Sequence, residues 1–256
     1  TEATHAGRPM AELALSMRSR GLPIGSHFVV DRLGRGPGNG GRPLEEIARR
    51  RLDPNELWLL NSTSGTTGLP KCVMQFQNRW WYFHHMAVEA GGLDPQDSFL
   101  GLVPAPFGFG LWTAHFTPAL LGSPTHLVSR FDADATLDLI ERERPTVISC
   151  VSTQFIMLLN AQAQRRRDLR SLRVMFTGGE AVPFKRASEF EEETGARVLQ
   201  FYGSNETGAL SRTTLTDTRE QRLTTCGRVI APLQVRLLDE HGHDVPQGQP
   251  GQPACK

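Results

Sequence analysis

From Glu56 onward, short apolar runs alternate with amphipathic segments, and this alternation narrows the folds open to the chain more than any other feature. Residues 99–103, 125–128, 146–151, 172–176 and 197–201 read as strands. Between them, 111–121, 133–144 and 153–160 read as helices, and a further helix is opened by Pro183 and stopped by Gly195. In 133–144, Ala133, Leu137 and Ile140 recur on one face while Glu and Arg point outward. Apolar strands separated by helices predict an α/β fold, a mostly parallel sheet covered by helices on both faces. After about Leu210 the pattern turns to strand and turn, a small β-rich segment whose clearest strand is 234–238.

Upstream of this region, residues 11–20 and 44–50 read as helices and 27–30 as a strand. Five glycines and two prolines between 33 and 43 make a loose loop. Residues 57–60 and 72–76 read as strands, followed by a helix at 77–90 with Trp80, Phe83, Ala87 and Ala90 on one side. The expected organisation is therefore a partial α/β subdomain with its loop (1–55), an α/β ligand-binding subdomain (56–209) and a β-rich segment (210–256).

Composition removes several function classes. Twenty-eight Lys and Arg against 27 Asp and Glu leave a net charge of +1, without bulk attraction to nucleic acid or anionic lipid. The triplet Arg165-Arg166-Arg167 reads as a solvated loop rather than a nucleic-acid patch. The most apolar stretch, 99–121, is broken by prolines and glycines, so no transmembrane segment is expected. No basic segment followed by an apolar one opens the chain, so no signal peptide is expected. Cys72, Cys150, Cys226 and Cys255 form no CxxC pair, which favours a reducing, cytoplasmic setting over a disulfide framework.

The chemistry concentrates in three loops at strand ends. In Ser62-Thr63-Ser64-Gly65-Thr66-Thr67-Gly68-Leu69-Pro70-Lys71, five hydroxyls, two glycines and a lysine lie between apolar strands. Glycines let backbone N–H groups turn toward an anion, and the hydroxyls and lysine add donors and charge. The spacing differs from the GxxxxGK[ST] phosphate loop, which weighs against kinases and GTPases. Alone, such a loop fits a hydrophilic turn equally well. Two further loops, Thr177-Gly178-Gly179-Glu180 and Tyr202-Gly203-Ser204-Asn205-Glu206-Thr207-Gly208, also end strands, where open α/β sheets bind ligands.

Taken together, the three loops resemble those of the adenylate-forming superfamily, of the acyl-CoA synthetase and aryl-acid ligase type, over residues 11 to 251. The resemblance implies activation of a carboxylic acid with ATP to an acyl-adenylate, then thioester formation with coenzyme A. It implies that Thr63, Ser64, Gly65, Thr66, Thr67, Gly68 and Lys71 hold the β- and γ-phosphates and that Glu206 ligates Mg²⁺. It places Tyr202 against adenine, with Gly179, Glu180 and Ala181 on the other edge. Lys71, Asn205 and Glu206 are the implied catalytic residues. Asn205 departs from the usual Thr or Ser at the α-phosphate, although its amide can donate there.

Phe107 and Gly108 fall where the family places its acyl substrate, and Gly203 on the pocket floor. Phe107 favours a hydrophobic acid, aliphatic, alicyclic or aromatic. The absence of Asp between 99 and 121 argues against an amino acid. Family members are longer, so the chain reads as part of a large domain, stopping before the hinge and the C-terminal domain and expected to turn over poorly alone. Pro253 is expected to end the last strand. The partners implied are a small-molecule carboxylic acid, ATP and coenzyme A; the alternatives are a non-catalytic nucleotide- or acyl-binding module and an acyl-AMP ligase loading a carrier protein.

Overall fold

The computed structural model describes residues 4–5, 8–9, 12, 16–17, 19–20, 48–49, 51–63, 68–105 and 107–256. The chain divides into two units, residues 1–51 and 52–256. In the first, β1 (Thr4–His5) pairs antiparallel with β2 (Arg8–Pro9). Glu12, Ser16, Met17 and Ser19 are helical, within the helix expected at 11–20, as are Ala48 and Arg49 within 44–50. The strand expected at 27–30 and the loop at 33–43 lie outside the described residues.

The second unit is built on a seven-stranded sheet in the order β6–β5–β7–β8–β9–β10–β11. Strands β5 (Phe99–Gly101), β6 (Thr125–Leu127), β7 (Val147–Ser149), β8 (Val174–Gly178) and β9 (Arg197–Ser204) are parallel to one another. Strands β10 (Gly208–Arg212) and β11 (Arg228–Val229) extend the sheet antiparallel. The loop-flanking strands β3 (Leu57–Ser62) and β4 (Cys72–Phe76) stand outside this sheet and pair antiparallel with each other.

Period-two alternation splits the core between the two sheet faces. Leu100, Ile148, Met175 and Val198 pack with Leu137 and Ile140 of α4 (Ala133–Glu143), Phe155 of α5 (Ser152–Gln164) and Phe190 of α6 (Phe184–Thr194). On the opposite face, Phe99, Val147, Val174, Phe176 and Leu199 pack with Trp80, Phe83 and Ala87 of α1 (Gln77–Gly91) and with Trp112. Each large apolar side chain removed from water contributes about 1.5–3 kcal/mol, so both helix layers are firmly seated. Trp112 lies on a continuous helical run: α2 (Gly108–Leu111), a π-helical turn (Trp112–Phe116) and α3 (Thr117–Leu121). Among the described residues no helix is long and apolar enough to cross a membrane.

Several local expectations need correction. The strand expected at 172–176 runs two residues later and delivers Gly178 to the strand end. Pro183 caps α6 from outside the helix rather than opening it. A helix, α7 (Arg219–Thr224), occupies part of the segment expected to be strand and turn. Thr218 caps it through a reciprocal pair with Gln221, donating N–H to Oε1 at 2.9 Å and accepting from Gln221 N–H at 3.2 Å.

Arg167 is not solvated. Its side chain is 1% exposed and bonds Asp134 and, at 2.9 Å, Asp138, stapling α4 to the end of α5. Pro253 does not end the last strand: β13 (Gln252–Cys255) pairs with β12 (Val235–Leu238), with Pro253 opposite Leu237. Gln234 and Lys256 exchange both backbone bonds, so alternate pairs along the ribbon are hydrogen-bonded. Leu237–Pro253 falls on a non-bonded pair, where proline's missing N–H costs nothing.

One buried ion pair anchors the end of the sheet. Glu191 and Arg222, with side chains 5% and 2% exposed, are bonded to each other, and Glu191 also accepts from Val198 N–H at 2.9 Å and Arg219 Nε at 3.1 Å. Burial alone would raise the Glu191 carboxyl. The Arg222 and Val198 donors outweigh it and hold the group below its ordinary 4.5. The stability it contributes is therefore complete above pH 4.5 and is lost as acid titrates through the lower folded value. Glu191→Gln should cost about 3–5 kcal/mol in denaturant unfolding at neutral pH by stranding Arg222, and should flatten the acid limb of the stability curve.

Candidate functional site

The three loops meet beyond the carboxyl ends of β5, β8 and β9, around a cavity of about 380 Å³. Thr63 and Lys71 close the base of the first loop: Thr63 N–H donates to the Lys71 carbonyl, and Lys71 N–H to Thr63 Oγ1, both at 3.0 Å. Both residues line the cavity. Ser64, Gly65, Thr66 and Thr67 lie outside the described residues. Gly68 is exposed, is not in the cavity wall, and has φ +150, which favours glycine.

Asn205 and Glu206 form the turn between β9 and β10. Asn205 Nδ2 donates to the Ser62 carbonyl at 3.1 Å, so its amide ties this turn to the base of the first loop. Gly108 permits this arrangement, since a Cβ there would lie 2.5 Å from Asn205 Oδ1. Glu206 is exposed in the cavity wall, and its carboxylate has no hydrogen bond or ion pair among the described residues. A free hard carboxylate near a lysine and a hydroxyl-rich loop suits a divalent cation that arrives with a polyphosphate. Among the described residues no cluster of three His, Cys, Asp or Glu could hold a metal unaided.

The far wall is aromatic. Phe107, Phe109, Trp112 and Phe201 line it, with Trp112 edge-on to Phe201 at 4.8 Å between ring centres. Phe107, Gly108 and Gly203 all line this cavity. Phe109 lines the cavity and also packs against the Trp112 ring, 6.2 Å away between ring centres.

A second cleft of about 460 Å³ shares Gly179, Phe201, Tyr202 and Gly203 with the first, and adds Glu180, Ala181 and the edge at 224–226. Tyr202 is half-exposed between the two clefts. The Glu180 carboxylate is already engaged: it accepts from Ser152 N–H at 2.8 Å at the N-terminus of α5. Glu180 therefore anchors its loop, leaving backbone and Ala181 to face a ligand in that cleft.

Sequence reasoning did not single out Gln75, Arg79, Trp112, Ser204 or Ala209 for the first cavity, and set Trp80 and Phe83 only on one face of a helix. A signal was present. Gln75 is the one polar residue in an otherwise apolar strand, and Arg79 stands four residues before Phe83 on the inward side of α1. Arg79 stacks over the Phe83 ring at 5.5 Å, and burial pulls its guanidinium below the ordinary value.

The family model described as AMP-binding enzyme matches residues 13–252. The chain belongs to this AMP-binding enzyme family. Among relatives, it is 32% identical over 203 residues to indoleacetate–CoA ligase of Aromatoleum aromaticum, covering 79% of this chain and 39% of that protein. It is 31% identical to medium-chain fatty-acid–CoA ligase of Escherichia coli, covering 79% of this chain and 36% of that protein. The fold matches O-succinylbenzoate coenzyme A synthetase of Bacillus subtilis, solved in complex with ATP and magnesium ion, with TM-score 0.66 and 27% identity; the match covers 77% of this chain and 40% of that one. The chain therefore spans under two fifths of the length of these two curated relatives. The matched region takes in all three loops and the aromatic wall between them.

Proposed function

We propose that this chain carries the nucleotide and acyl sites of an ATP-dependent acid–thiol ligase, which converts a hydrophobic carboxylic acid to an acyl-adenylate and then to a coenzyme A thioester. The observation that carries this reading is the single cavity whose wall runs from Thr63, Lys71 and Glu206 to Phe107, Phe109 and Trp112. A polyphosphate end and an apolar end share one space, as attack of a carboxylate on an α-phosphate requires.

In this reading Thr63, Lys71 and the loop between them hold the β- and γ-phosphates, with Lys71 neutralising charge on the departing pyrophosphate. Glu206 takes the Mg²⁺ of Mg·ATP. The second cleft receives adenine against Tyr202, with Gly179 and Ala181 at its edge. Asn205 fixes the turn to the first loop through one amide N–H, and its second N–H is the donor for the α-phosphate. Glu206 is the only carboxylate in the described wall, so once it meets the metal no carboxylate there is left to pair a substrate ammonium. At about 380 Å³ the cavity is at the small end of ligand sites, which span about 300–1,000 Å³. Together these features favour a compact, ring-bearing or short acid over an amino acid or a long chain.

Binding of acyl-sulfamoyl adenosines, stable mimics of the acyl-adenylate, tests this on the chain itself. A benzoyl derivative should bind at least about a hundredfold more tightly than adenosine 5′-sulfamate, and more tightly than phenylalanyl or palmitoyl derivatives. A folded chain that binds none of them, or prefers the aminoacyl derivative, would overturn the reading.

A further inference from the structure

The turn that carries Glu206 is held from outside itself. Its internal bonds are short-range: Ser204 N–H donates to Thr207 Oγ1 at 3.1 Å, and Thr207 N–H to Ser204 Oγ at 3.2 Å. Two side chains from β4 and α1 fix it to the rest of the unit. Gln75 Nε2 donates to the Asn205 carbonyl at 3.1 Å. Arg79 Nη2 reaches both the Asn205 and the Glu206 carbonyls, each at 3.1 Å.

Both holders are themselves locked. Gln75 is buried and accepts from Trp80 Nε1–H at 3.1 Å, and Arg79 lies over the Phe83 ring. Gly208 makes room for Arg79 and Phe83, since a Cβ there would sit 2.9 Å from Arg79 Nη2 and 2.0 Å from Phe83 Cζ. Among the described residues the Glu206 carboxylate has no hydrogen bond or ion pair, only the nearby charge of Arg79, so the place of its backbone sets the region its side chain can reach.

The geometry points to Gln75 and Arg79 as positioning residues, which clamp the Asn205 and Glu206 carbonyls so that the Glu206 carboxylate meets the magnesium of bound Mg·ATP in a fixed place. This rests on the function proposed above in one respect, that Glu206 faces the metal. The guanidinium is suited to the task because its planar fork is rigid, whereas a lysine ammonium is a point charge on a flexible stem.

The test compares Arg79→Lys and Arg79→Gln with the unaltered chain by calorimetry, using ATP in EDTA and ATP with Mg²⁺. In each variant the ratio of the affinity with Mg²⁺ to that for metal-free ATP should fall about tenfold or more, whatever the metal-free affinity does now that a cation of the cavity wall is altered. Hydrogen exchange of residues 203–208, measured without nucleotide, should quicken in both variants while the main sheet stays protected. A variant that keeps the full magnesium-dependent gain overturns the inference, even if it melts earlier, and so does unchanged exchange at 203–208. If the unaltered chain gains nothing from Mg²⁺, the role given to Glu206 fails and the inference falls with it. The exchange data then still report whether Arg79 holds the turn.

Discussion

Replacing Gly203 with alanine is expected to destabilise residues 52–256 by about 2–4 kcal/mol and to remove ligand binding at both clefts. Gly203 lies opposite Ala209 in the β9–β10 ladder. A Cβ there would lie 1.8 Å from the Gly208 carbonyl oxygen, 2.7 Å from its carbon and 2.9 Å from Ala209 Cα. All three are backbone atoms, so no rotamer change relieves the clash, and the two strands must part. Both clefts use Gly203 as wall, and Asn205 and Glu206 follow within three residues, so parting the strands moves every group placed on the turn. Gly179 is the control: it has φ +85 but open space around a Cβ. Alanine there meets only backbone strain, about 1–2 kcal/mol. Denaturant midpoints of the two variants, with nucleotide binding by each, separate a steric requirement from a conformational one.

The parts of the site legible in the sequence were those written in local chemistry. Glycine, hydroxyl and lysine between two apolar strands, and Tyr-Gly followed three residues later by Glu, mark loops whatever surrounds them. The structure brings Thr63, Lys71, Phe107, Gly108, Gly179, Tyr202, Gly203, Asn205 and Glu206 around one cavity. Parallel strands β5 to β9 were legible because helices must cross between them. What escaped depends on distant partners. Arg167 looks like one of three surface arginines until Asp134 and Asp138 arrive from another helix. Gln75 and Arg79 act on carbonyls about 130 residues away, and backbone carbonyls leave no trace in a sequence. The π-helical turn is hidden for another reason, since an apolar run carries no mark of one extra residue per turn. Helix α7 was legible and overlooked: Thr218-x-x-Gln221 is a capping pair in plain view.

A larger effect is expected from removing the two charges at the polyphosphate end. Lys71 and Glu206 line the same cavity, neither forms an ion pair among the described residues, and each is held by backbone that other elements fix. Their side chains are therefore free to meet phosphate and metal without first breaking a protein contact. Charge-assisted hydrogen bonds contribute about 1.5–3 kcal/mol each, so the double variant Lys71→Ala/Glu206→Gln should lose about 3–6 kcal/mol of Mg·ATP binding, on the order of a hundredfold or more. Both residues are exposed, so the fold should survive.

Titration of the chain with Mg·ATP by calorimetry, beside this double variant at equal melting temperature, tests the central claim most directly. Saturable binding by the chain that the variant loses is the result expected if the three loops form one nucleotide site. Binding that the variant retains would put the nucleotide elsewhere, and no binding by a chain shown to be folded would contradict the site as it is drawn here.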